Sequence, residues 1–240
     1  MASNIWFISD THFWHHKVIQ YQRPCFKNVV EMNETIISNW NSVVKPSDLV
    51  YFLGDFSFCG TNRSLDILNV LNGKIHLIKG NHDRKMSANL RDRFEWVKDI
   101  YPLRIDHDLY KGYIELCHFP FLSWAASGRG RYHLFGHAHG KLETDMLSLD
   151  VSVERWNYFP VNLDTVLAEL EKKKERFEME KKKERFEMEK SIETTGYEPV
   201  GPNDDPGTVA LKKVRDKLLK MTPTEYEELC ERAKREGFTG

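Results

Sequence analysis

The sequence predicts a mixed α/β protein: a sheet covered by helices, a second sheet packed on it to make a two-sheet β-sandwich flanked by helices, and a small C-terminal helical appendage. Three observations carry that prediction. The apolar runs ending at Ser9, Gly54 and Lys79 are nearly continuous, as in strands buried on both faces. Segments of helical period separate them. Further apolar runs near 113–118, 131–136 and 147–153 lie closer together, which suits a second sheet.

Taken in order, Ile5 to Ile8 is a central strand that leads into Ser9-Asp10-Thr11-His12. Val29, Met32, Ile36, Ile37 and Trp40 then recur at the helical period, so 29–40 forms a helix. Leu49 to Leu53 is the second strand and ends at Gly54-Asp55. A second helix near Ser64 to Leu71 stops at Gly73. Ile75 to Ile78 is the third strand and runs into Gly80-Asn81-His82-Asp83. Strand, helix, strand, helix, strand is the order of a sheet with helical cover.

The segment from Leu163 to Lys190 differs in kind, because Glu171 to Met179 recurs directly as Glu180 to Met188. Nine residues advance a helix by about 900°, half a turn out of phase, so Phe177 and Phe186 face opposite sides. No single buried stripe runs through both copies, and a solvated helix with local Glu178–Lys182 support is the expectation. Pro, Gly and Asp then mark a linker. Beyond it Leu211, Val214, Leu218 and Met221 form one stripe, and Thr222-Pro223-Thr224-Glu225 reads as a capped helix start ended by Gly237. The division expected is a core over 1–165, a charged helix over 166–192, a linker over 193–208 and a helical hairpin over 209–240, which docks, self-associates or meets a partner.

Composition removes several classes. A formal net charge of −1 is not the basic footprint that tracks duplex nucleic acid. No apolar run approaches the roughly 18 to 20 residues that span a bilayer. Four cysteines without CxxC spacing, and no signal-like opening, point to a reduced, cytoplasmic protein.

The chemistry lies where the apolar runs end. Asp10 and His12, Asp55, Asn81, His118, and His137 with His139 each follow such a run. Oxygen and nitrogen donors without a thiolate suit Mn, Fe, Zn, Co or Ni, manganese first among them, rather than a structural zinc of the cysteine type. A pair of ions about 3.5–4 Å apart, bridged by a carboxylate, can hold hydroxide and clamp a phosphoryl oxygen for in-line attack.

The motifs DTH, GD, GNHD, a lone His and GHAH, in that order, resemble the calcineurin-like metallophosphoesterase superfamily over roughly residues 4 to 165. The resemblance implies a double β-sandwich with ligands on loops at one end, and hydrolysis of a small phosphomonoester or phosphodiester, nucleotide or cyclic nucleotide included. It implies two metal ions: one on Asp10, His12 and His139, the other on Asn81, His118 and His137, with Asp55 bridging. It gives His82 the role of proton donor to the leaving group, with Asp83 orienting it. His15 and Arg23, with Arg131 behind them, are candidates to contact substrate phosphate. His76, His107 and His133 have no motif support and read as structural or surface residues. Phe58 stands where phosphatase branches carry a metal-site Asp or Tyr, and it can neither bind iron nor orient a histidine in their way. Phe13, Trp14, Phe56, Phe58, Phe119, Phe121 and Trp124 crowd the motif loops; they either stack a base or wall a core. A metal-dependent nuclease is the rival within hydrolases. A non-catalytic scaffold docking through the C-terminal helices is the rival outside them, but no expected ligand is missing.

Overall fold

The computed structural model describes residues 4–194, side chains through 187, together with 220–222, 225 and 228. In chain order the elements are β1 (Ile5–Ile8), α1 (His16–Tyr21), α2 (Val29–Val43), β2 (Leu49–Phe52), α3 (Thr61–Val70), β3 (Lys74–Ile78), α4 (Ala88–Arg91), β4 (Trp96–Lys98), β5 (Ile100–Asp106), β6 (Lys111–Cys117), β7 (Tyr132–Phe135), β8 (Ser148–Asp150), β9 (Val161–Asn162) and α5 (Leu163–Thr194). One sheet has the order β4-β3-β2-β1-β9, with β1 to β4 parallel and β9 antiparallel at the edge. The other has the order β5-β6-β7-β8, with β6 to β8 parallel and β5 antiparallel.

The continuous apolar runs of β1 to β3 have a direct cause. Side chains alternate across a strand, and here both faces are covered. Phe7, Tyr51, Leu53 and Ile78 join Leu103, Ile114, Leu116, Leu134 and Leu149 in the layer between the sheets. Their alternates Ile8, Val50, Phe52, Ile75 and Leu77 pack with Met32, Ile36 and Trp40 of α2 and Ile67 and Leu68 of α3. Each fully buried side chain of this size contributes about 1.5–3 kcal/mol. Trp40, fully buried, also donates from Nε1 to the Asn72 carbonyl at 2.8 Å.

Helix α2 starts where Asn28 Oδ1 accepts from the N–H groups of Val30 and Glu31 at 2.9 and 3.0 Å. The helix expected near Ser64 begins earlier, at Thr61. Five elements were not expected: α1, α4, β4, β5 and β9. β5 is an edge strand that carries Pro102, tolerated there because an outer N–H need not pair, and it exposes alternate residues. β4 and β9 are three and two residues long and exist through pairing with longer neighbours.

Helix α5 buries Val166, Leu167 and Leu170 in the layer between the sheets, so the expected boundary at 165 falls inside a helix whose first turns are core. Within the unit ending at Glu180, Phe177 is 37% exposed; in the unit beginning at Lys181, Phe186 is 64% exposed. The linker expected over 193–208 lies outside the described residues apart from its first two, which end α5, and so does most of the hairpin expected over 209–240, including Leu211, Val214, Leu218 and Gly237. Its capping box is described: Glu225 Oε2 accepts from Thr222 N–H at 2.7 Å, and Thr222 Oγ1 accepts from Glu225 N–H at 3.3 Å. Among the described residues, no helix is long and apolar enough to cross a membrane.

Candidate metal centre

Parallel strands deliver their carboxyl ends to one rim. Asp10 follows β1, Asp55 follows β2, Asn81 and His82 follow β3, His118 follows β6, and His137 and His139 follow β7. The chain must turn sharply to leave each strand. Asp10, His12, Asp55, His137 and His139 do so with left-handed backbone, φ 57, 48, 60, 65 and 51°. Asp, Asn and His are enriched in that region, and such residues cluster at functional sites. Gly54, φ +89°, is required twice over: a Cβ there would lie 2.5 Å from Gly80 N and 2.6 Å from His118 Nδ1. A Cβ on Gly80 would overlap the Asp55 carboxylate.

Two groups of donors result. Asp10, His12 and His139 converge in one, Asp55, His118 and His137 in the other, with the donor atoms of each within 4.8 Å of one another. Asn81 Oδ1 lies 3.0 Å from His118 Nε2 and so adjoins the second group. Asp55 Oδ2 stands between them, 3.6 Å from His12 Nε2 and 3.6 Å from His118 Nε2. His12 Nε2 and His139 Nε2 lie 3.6 and 3.7 Å from Asp10 Oδ1. Those separations exceed a hydrogen bond. They approach the roughly 3.0–3.4 Å expected between two ligands of one ion with metal–ligand bonds of about 2.0–2.1 Å.

The residues fit a cation on a second count. Asp10 Oδ1 and His12 Nε2 are buried with no hydrogen-bond partner, which is costly unless something charged sits between them. Burial opposes ionising Asp10, yet the histidines around it, His12, His118 and His139, hold its carboxyl well below the usual range. Burial pushes His12 down to about 4, so its imidazole is neutral at pH 7, the form that binds metal. Burial raises the Asp55 carboxyl, and the nearby Asp10 and Asp83 charges push it the same way.

The outer nitrogens of two ligand candidates are fixed. His118 Nδ1 lies 2.7 Å from the Leu53 carbonyl, and His139 Nδ1 lies 2.8 Å from Glu154 Oε1. Burial lowers His139, but the Glu154 hydrogen bond outweighs it and the net shift is upward. Glu154 is in turn held by Arg23, Nε to Oε1 at 2.8 Å. Sequence reasoning missed Glu154, which adjoins no motif.

Arg23 requires a correction. It was expected to contact substrate phosphate, but it is fully buried and donates to the carbonyls of Asp10 and Thr11 as well as to Glu154. It braces the first ligand loop. Arg131, the weaker candidate, is engaged by Glu115 at 2.9 Å. Asp83 also differs from expectation: its carboxylate accepts from the N–H groups of Asp55, Gly80 and Phe56 at 2.7, 2.8 and 3.2 Å, tying two ligand loops together rather than orienting the His82 ring.

His82 has a side chain 43% exposed, with Nε2 3.9 Å from Asp55 Oδ2, and its backbone N–H is donated to Asp55 Oδ1 at 2.9 Å. His15 is half-buried beside His12, Nδ1 to Nδ1 3.3 Å, and burial pushes it down to about 4. Phe58 contacts histidines after all: its ring stacks 3.7 Å from His15 and 5.0 Å from His12 and lies tilted 4.3 Å from His82. Of the other motif-loop aromatics, Phe13, Phe56 and Trp124 are buried core and Phe121 stacks on the buried, structural His133. Trp14 and Phe119 join Phe58 as partly exposed rings.

Comparison with known proteins agrees with this fold. Residues 3–188 match the family model described as calcineurin-like phosphoesterase. An uncharacterised protein of Methanocaldococcus jannaschii is 37% identical over 180 residues, covering 71% of this chain and 93% of its own. The gene 66 protein of Mycobacterium phage D29 is 28% identical over 186 residues, 65% of this chain and 90% of its own. Among solved structures, a protein of unknown function from Aquifex aeolicus superposes with a TM-score of 0.53 at 25% identity, over 69% of this chain and 98% of that one.

Proposed function

Because the chain belongs to the calcineurin-like phosphoesterase family, we propose that it hydrolyses a small phosphate ester, mono- or diester, at a centre of two divalent cations. One observation carries the reading: Asp55 Oδ2 is equidistant, at 3.6 Å, from a histidine of each donor group. Asp10, His12 and His139 would hold one cation, Asn81, His118 and His137 the other, and Asp55 would be shared. When bound, such ions neutralise phosphoryl charge and acidify water, which is the larger part of the catalysis.

The chain's own groups supply the rest. His82 would give a proton to the leaving oxygen as the phosphorus–oxygen bond breaks, since its ring is accessible to substrate and Phe58 limits its rotation. His15, neutral at pH 7, can donate one N–H to a phosphate oxygen. Arg23 and Glu154 fix the His139 ring, and Asp83 fixes the loops that carry Asp55 and Asn81.

Turnover of bis-p-nitrophenyl phosphate, p-nitrophenyl phosphate and cyclic nucleotides, with manganese and with EDTA, tests the reading. Chelation should abolish activity. His82→Ala should lose about 10²–10⁴-fold on alkyl esters and much less on p-nitrophenyl esters, whose leaving group needs no proton. Turnover that survives EDTA would refute the metal centre, and equal losses on both ester types would remove the proton donor.

A further inference from the structure

Beside the centre lies an open groove of about 500 Å³ lined by Trp14, Phe58, Thr61, Asn62 and Arg63 among others. We propose that it is a subsite for a planar aromatic group of the substrate, a nucleobase in kind. The proposal rests on the phosphoesterase reading above and adds the class of substrate.

Phe58 is the wall common to both places. It lines the groove, and its ring stacks on His15 and meets His82 at a tilt of 47°. A substituent leaving the phosphorus past His82 therefore meets Phe58 at the edge of the groove. The volume falls in the range of sites that enclose small ligands. Across the groove the guanidinium of Arg63 lies 4.9 Å from the Trp14 ring centroid, so the two flat groups form one stacking platform. Trp14 is held there against backbone preference: its φ is 63°, and its N–H is donated to the buried Asn33 at 3.2 Å. Helix α3 opens at Gly60 with no side-chain cap. Backbone donors of its first turn thus remain for the carbonyl or ring-nitrogen edge of a base.

The full chain loaded with manganese is tested with AMP against ribose 5-phosphate, which share phosphate and sugar and differ in the base. Both calorimetric affinity and inhibition of p-nitrophenyl phosphate turnover are read. AMP should bind at least about tenfold tighter. Trp14→Leu should bring the two ligands within about threefold of each other. Arg63 is exposed, so Arg63→Gln repeats the test without disturbing the core. Equal affinities in the wild type, or a preference that survives in both variants, would overturn the subsite. Turnover without base discrimination would remove the subsite and leave the phosphoesterase. Discrimination by calorimetry without turnover would do the reverse.

Discussion

Asp55 has little freedom to change, because its two carboxylate oxygens answer different demands: Oδ1 accepts the His82 N–H and Oδ2 faces both donor groups. Gly80 makes room for it. In Gly80→Ala the new methyl group meets that carboxylate, so metal content should fall by elemental analysis, with about 1–3 kcal/mol lost in urea denaturation. Glu154 acts on the other side. Glu154→Gln should weaken one of two calorimetrically resolved cation affinities about 10–100-fold and spare the other, because His139 and the Arg23 brace that it loosens both belong to the Asp10 side. Equal weakening at both would refute its assignment to the Asp10 group. The ligand candidates were legible because short motifs after strands bring their own spacing. Glu154 was not, since only the fold brings it next to His139. Arg23 was singled out by residue type alone, and type does not reveal that it is buried.

At the level of elements, α5 has two characters. Its first turns are core, and its duplicated stretch is exposed from Glu175 to Glu187. Leu170→Ala, at a fully buried position, should cost about 2–5 kcal/mol. Phe186→Ala, at a position 64% exposed, should fall within about 0.5 kcal/mol of the parent by the same denaturation assay. The half-turn offset between the copies gave that outcome in advance, because a stripe that changes sides cannot stay buried. Central strands were equally legible from unbroken apolar runs. Edge strands were not, since β4 and β9 have too few residues for a period and depend on partners distant in the chain. The proline in β5 argued against a strand until its edge position was known.

Over the whole molecule, buried histidines set how the metal-free protein responds to acid. His12 and His133 are both pushed by burial from 6.5 to about 4. Between those values the unfolded chain holds a proton that the folded one does not, so stability rises with pH and is lost as pH falls, by about 3 kcal/mol for each group. His139 works in the opposite sense: its raised value adds stability below pH 6.5 that disappears as pH rises through the folded value. His15, His76 and His137 are shifted down as well, against upward shifts at His139, Asp55 and Asp150, so the urea midpoint of metal-free protein should drop between pH 7 and 4; a flat profile would contradict the burial of these rings. The left-handed turns at positions 10, 12, 55, 137 and 139 have an evolutionary corollary. A mutant library screened for solubility alone, with no catalytic demand, should already retain Gly, Asn and Asp there and reject Val and Ile. Part of what looks like preserved chemistry at this rim is a preference of the bare peptide chain, and such a screen would separate the two.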